Sequence, residues 1–110
     1  IFLMDRKADM IITGGENVYP AESEEVLYAH PAVRECTVVA APDKKWGERV
    51  LAVVVLKDGC AVTKDELIKY CKDRLAGYKC PKDIEFWEEL PKTSVGKILR
   101  RDVRKHFWAQ

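Results

Sequence analysis

Val50-Leu51-Ala52-Val53-Val54-Val55-Leu56 is an unbroken apolar run of seven residues, closed by the turn-forming Lys57-Asp58-Gly59. Four of the seven are valines, whose branched Cβ suits extended backbone, so the run is the best candidate for a central strand. Upstream of it, Val33–Ala41 carries Cys36-Thr37-Val38-Val39-Ala40-Ala41 and reads as a second buried strand. Pro42–Glu48 between them is a polar loop with one aromatic, Trp46. Downstream, Ile84-Glu85-Phe86-Trp87 alternates weakly and reads as a third strand.

Three helices flank these strands. Pro20–Ala29 begins with proline in its first turn and places Glu22, Glu24 and Glu25 near the positive end of the helix dipole. His30-Pro31 stops it, and His30 reads as a helix-end residue rather than a ligand. Thr63 is a sound N-cap for Lys64–Leu75, with Glu66 completing a capping box and Gly77 as the stop. Ile98–Trp108 closes the chain as a short basic helix. At the start, Phe2–Met4 and Met10–Thr13 flank the charged Asp5–Asp9 and predict a β-hairpin, after which Gly14-Gly15-Glu16-Asn17 breaks the second strand. The sum is an α+β domain: a small three-stranded sheet flanked by helices, with an N-terminal β-hairpin.

The 110 residues suit one domain with a modest core, and 47% apolar with 34% charged residues argues against disorder. No run approaches the ~20 apolar residues of a membrane span. The four cysteines, separated by 24, 11 and 9 residues, match neither metal-ligand pairs nor a CxxC redox motif. They read as reduced thiols in a cytoplasmic protein. The chain starts at Ile1 in mid-pattern and is read as a fragment of something longer.

Charge is local. Between Pro91 and Lys105 stand six basic residues and one acid, although the whole chain carries only +1. Within that stretch Gly96-Lys97 invites comparison with a phosphate-binding P-loop, but the required flanking glycine is Pro91 and the required Ser or Thr is Ile98. Stacking aromatics are not interleaved along a basic face, which disfavours nucleic acid. A lysine on a Pro- and Gly-flanked loop remains a device for bringing one ammonium to an anion.

Two stretches together resemble one family. Asp5-Arg6-Lys7-Ala8-Asp9-Met10-Ile11-Ile12-Thr13-Gly14-Gly15-Glu16-Asn17-Val18-Tyr19-Pro20-Ala21-Glu22 resembles the hinge-proximal D-R-x-K-D-M-I-I-x-G-G-E-N-V-Y-P-x-E motif of adenylate-forming enzymes. Leu90-Pro91-Lys92-Thr93 with Gly96-Lys97-Ile98 and Arg100-Arg101 resembles the C-terminal P-K-T-x-x-G-K-x-x-R-R motif of the same superfamily. Trp46-Gly47-Glu48 and Tyr78-Lys79-Cys80-Pro81-Lys82 fit between them, so the resemblance spans the chain.

The resemblance implies the mobile C-terminal domain of an acyl-CoA synthetase acting on a fatty or aromatic carboxylic acid. The large N-terminal domain that holds most of the ATP and acyl pockets, and Mg2+ with the ATP, is absent from this chain. Lys97 is by resemblance the adenylation lysine. Gly14 and Gly15 would line the pantetheine channel of coenzyme A after domain rotation, with Glu16 and Asn17 travelling on the same loop. Trp46 and Tyr78 are candidates for the coenzyme A nucleotide, with plain packing as the alternative for each. Arg6, Lys79, Lys82 and Arg100 are candidate phosphate contacts, Arg100 and Arg101 being equally suited to tying the last helix to the core. Arg6, Lys7 and Ala8 form the hinge region, where Ala8 departs from the usual charged residue. Ser23 departs from the usual apolar residue, which predicts a weakened packing contact. Partners implied are the N-terminal domain, the acid, ATP and coenzyme A, and a lysine acyltransferase modifying Lys97. The rival reading is a stand-alone binding or regulatory module that kept the fold without its own catalysis.

Overall fold

The valine-rich run forms β4 (Gly47–Leu56), the middle strand of a three-stranded sheet in the order β3-β4-β5. β3 (Val33–Asp43) pairs antiparallel with it, from Val33↔Leu56 to Asp43↔Gly47, with one irregularity between Val33 and Glu35. β5 (Asp83–Phe86) pairs parallel on the other side, from Leu51↔Asp83 to Val54↔Phe86. The structure, a computed structural model, describes residues 10–108. The predicted strand Phe2–Met4 lies outside the described residues, as do Arg6, Lys7 and Ala8.

The absence of polar alternation in β4 has a physical cause: both faces of the sheet are covered. Val38, Ala40, Val50, Ala52 and Val54 point to one side, where they pack with Ile11, Val18, Leu27, Leu67 and Cys71. Val39, Ala41, Leu51, Val53 and Val55 point to the other, against Leu90 and Val103. Successive side chains alternate between the two cores, as the period of a strand requires. Each fully buried valine or leucine contributes about 2 kcal/mol of transfer free energy, which outweighs any local preference.

On the first face lie α1 (Pro20–Tyr28) and α2 (Lys64–Lys72); α3 (Arg100–Trp108) packs on the second. Thr63 caps α2 as expected: its hydroxyl accepts from the Glu66 N–H while Glu66 Oε1 accepts from the Thr63 N–H at 2.9 Å. Gly77 is not the stop. Regular helix ends at Lys72, the next turn tightens through Arg74 N–H to Cys71 O, and Gly77 opens a 3₁₀ turn over Gly77–Lys79. Ala29 does not reach the core with Leu27 but stands exposed at the helix end. Ser23 also differs from expectation. It is fully buried, and its hydroxyl donates to Lys79 O at 2.8 Å, so it pins α1 to the 3₁₀ turn rather than weakening it.

The described hairpin consists of β1 (Ile11–Thr13) and β2 (Glu16–Val18). Gly14-Gly15 ends β1, as expected, and turns the chain straight back into β2, which takes in Glu16 and Asn17. Thr13 pairs with Glu16, and both central residues have positive φ, +56° and +87°. That is the two-residue turn whose twist matches a hairpin, and two glycines meet its demand without strain.

Candidate functional site

Lys97 sits on a second, smaller hairpin. Lys92 and Ile98 form its bridge, Thr93 N–H donates to Lys97 O at 2.8 Å, and Gly96 N–H donates to Thr93 O at 2.9 Å. This is a three-residue loop ending in a left-handed residue, the position Gly96 fills with φ +87°. Thr93 Oγ1 accepts the Lys97 N–H at 3.1 Å, so the lysine backbone is fully committed and only its exposed side chain reaches outward. The loop is thus better ordered than a merely flexible arm.

Beneath the lysine lies a cleft of about 130 Å³ lined by Glu24, Tyr28, Cys36, Thr37, Ile98 and Arg100 besides Lys97. Arg100 grips Glu24 through two bonds, Nε to Oε2 at 3.1 Å and Nη2 to Oε1 at 2.6 Å. Glu24 Oε2 also accepts from Thr37 Oγ1 at 3.1 Å and from the Val38 N–H at 2.8 Å. The cleft holds no ready nucleophile. Burial pushes the Cys36 thiol far above its ordinary range, helped by the Glu24 charge, and burial raises Tyr28, whose hydroxyl donates to Cys36 O.

The glycine turn lies beyond the far end of β3, away from the cleft at Cys36 and Thr37. The Gly14 N–H donates to Trp46 O at 3.3 Å, and the Trp46 ring lies directly over Gly14, where a Cβ would stand 2.5 Å from Cε3. Ile12 N–H donates to Glu48 Oε1 at 2.9 Å, fixing β1 beside the β3–β4 turn. The turn itself is built on Asp43, whose Oδ1 accepts the N–H of Lys45 and Trp46; these bonds hold its carboxyl below the usual range. Lys82 is exposed near the same end of the sheet, its backbone donating to Val50 O. Tyr78 and Lys79 flank β2 from the 3₁₀ turn. From Thr37, beside Lys97, to Asp43, before Trp46, β3 runs six residues, about 20 Å of strand.

Residues 22–97 match the profile of the AMP-binding enzyme C-terminal domain. The chain belongs to that family. A feruloyl-CoA synthase from Amycolatopsis is 52% identical over 105 residues, and a 2-succinylbenzoate–CoA ligase from Bacillus cereus is 50% identical over the same length. The chain is 96% covered in each comparison but spans only 21% of either relative. A solved Mycobacterium tuberculosis fatty acyl CoA synthetase superposes with a TM-score of 0.86 at 46% identity, over 93% of this chain and 20% of that one.

Within this AMP-binding C-terminal domain, the structure separates the sequence-derived candidates into two groups. Gly14, Gly15, Glu16 and Trp46 gather at the β3–β4 turn, whereas Lys97 and Arg100 line the cleft beside Cys36 and Thr37 in the middle of β3. Lys79 is paired with Glu22 at 2.9 Å, and that bond raises its pKa; Arg100 is paired with Glu24. Sequence reasoning missed Glu24, Glu35 and Glu48 as organisers. In the sequence Glu22 and Glu24 carry only the signature of helix-dipole residues. The signal that was available is a glutamate beside the buried Leu27 side of an amphipathic helix, where an unpaired charge is costly.

Proposed function

We propose that this chain is the mobile C-terminal domain of an AMP-forming acyl-CoA synthetase, which activates a fatty or aromatic carboxylic acid. In the first half-reaction the carboxylate attacks the α-phosphorus of ATP and diphosphate leaves. The Lys97 ammonium neutralises charge shared by the phosphate oxygens and the entering carboxylate, where positioned charge supplies most of such catalysis. In the second half-reaction the coenzyme A thiol displaces AMP, and the Gly14-Gly15 turn borders the path of the pantetheine arm. Trp46 and Tyr78 offer ring faces for the nucleotide, and Lys82 an exposed cation for its phosphates.

The observation that carries this reading is the separation of the two groups along β3. Six strand residues, about 20 Å, divide the Lys97 cleft from the Gly14–Trp46 cluster, too far for both to serve one reacting carbonyl at once. A domain that turns between two poses uses each end in succession, a familiar gating device. Among the described residues no group of three or more His, Cys, Asp or Glu is arranged to hold a metal. In this reading Mg2+ enters with ATP and is bound mainly by the larger domain that the reading requires as partner. The protein is cytoplasmic in this reading, consistent with four free thiols. Lys97, exposed on its loop, is also open to a lysine acyltransferase, whose modification would remove the charge adenylation needs.

The test is Lys97→Ala in the full-length enzyme. Acid-dependent exchange of diphosphate into ATP should fall about 100-fold or more. Exchange at the wild-type rate contradicts the assignment.

A further inference from the structure

We infer that Glu24 is the positioning residue of the Lys97 loop, an inference that rests on Lys97 being the adenylation lysine. The loop that carries Lys97 has two stems, and each is tied to the body of the domain by an ion pair. On the entering stem Lys92 binds Glu35 of β3; on the leaving stem Arg100, three residues after Lys97, binds Glu24 of α1.

The second tie is the more elaborate. The Glu24 carboxylate lies off the outer edge of β3, where it receives the Val38 N–H that no neighbouring strand takes, together with the Thr37 hydroxyl. Arg100 completes it with a two-point grip. Both side chains are largely withdrawn from water, at 25% and 13% exposure. A withdrawn ion pair is a poor source of stability compared with apolar residues of the same volume; what it supplies is fixed geometry. Glu24 belongs to a helix on one face of the sheet and Arg100 opens the helix on the other, so the pair staples the two faces around the β3 edge.

Lys97 backbone polar groups are held inside its own hairpin by Thr93. The hairpin therefore moves as a unit. If Glu24 releases Arg100, the leaving stem loses one of its ties and the Lys97 ammonium shifts from the place where charge develops. A displacement of about 1 Å is enough to cost about 100-fold in rate.

The experiment uses the full-length enzyme and reads the half-reactions separately. Glu24→Gln should slow ATP–diphosphate exchange about 30- to 100-fold, with thioester formation from supplied acyl-adenylate within about twofold of wild type. In a Lys97→Ala background the same change should cost less than about twofold, because there is no ammonium left to misplace. Thr37→Val, which removes one of the four bonds to Glu24 at constant shape, should give a selective loss of about threefold. It carries the test if Glu24→Gln does not fold. Equal losses in both half-reactions, an undiminished effect without Lys97, or no effect of Thr37→Val each overturn the inference. If Lys97→Ala itself leaves exchange unchanged, the reading of the site fails instead.

Discussion

Gly14 shows how much one missing side chain determines here. Its φ of +56° belongs to the left-handed region, and a Cβ would stand 2.5 and 2.8 Å from two atoms of the Trp46 ring. Gly14→Ala should therefore cost about 1–2 kcal/mol in backbone strain and also displace Trp46. The check is chemical denaturation followed by tryptophan fluorescence: a lowered midpoint with an altered native emission spectrum is expected, and an unchanged spectrum contradicts the contact. Gly15 is different, since nothing lies within 4 Å of its missing Cβ although its φ is +87°. Asparagine tolerates such a φ, so Gly15→Asn adds bulk to the proposed pantetheine path without breaking the turn. The pair of glycines was visible in the sequence. Their division of labour was not, because it depends on Trp46, which lies 32 residues away and reaches Gly14 only when β1 docks on the β3–β4 turn.

Local chemistry decided most of the elements. Thr63 and Glu66 mark the start of α2 in sequence because the capping box is made of four consecutive residues and needs no tertiary partner. Thr63→Ala should lower stability by about 1 kcal/mol, read as a shift in the urea midpoint at unchanged slope. The central strand was legible for a similar reason, a run of apolar residues covered on both faces. The partner of the hairpin turn and the end of α2 are not legible in the sequence, because local signals compete there. Gly14-Gly15 suits either a strand end or a reversal, and only the pairing of Thr13 with Glu16 decides. The pattern Leu67, Cys71, Leu75 continues at helical spacing after the helix has tightened into a turn. The Lys97 loop was legible as an anion-seeking segment, yet its two stem ion pairs were not, because Glu24 and Glu35 lie 76 and 57 residues from their partners.

Across the whole molecule, the thiols report on how the core closes. Cys36, Cys71 and Cys80 are buried and Cys60 is exposed. A thiol reagent should modify one cysteine rapidly in the native protein and all four after denaturation; rapid reaction of two or more in the native state contradicts the packing. Burial raises the Cys71 thiol to about 11 from its ordinary 9.0. The unfolded chain then loses that proton first as pH rises. Stability is fully present below about pH 9 and declines towards pH 11, at up to about 1.4 kcal/mol per pH unit for each such thiol. Cys71→Ala should flatten that decline, measured by denaturant midpoints at pH 8 and pH 10.5.

The two ends of the domain must fail in different steps if it works by turning between them. The decisive measurement follows both half-reactions in the full-length enzyme for Lys97→Ala and Gly15→Asn side by side. Lys97→Ala should abolish most adenylation while leaving thioester formation from supplied acyl-adenylate within about twofold, and Gly15→Asn should slow thioester formation about tenfold or more with adenylation preserved. A variant pair that slows both half-reactions by the same factors contradicts the division of the domain into two alternating ends.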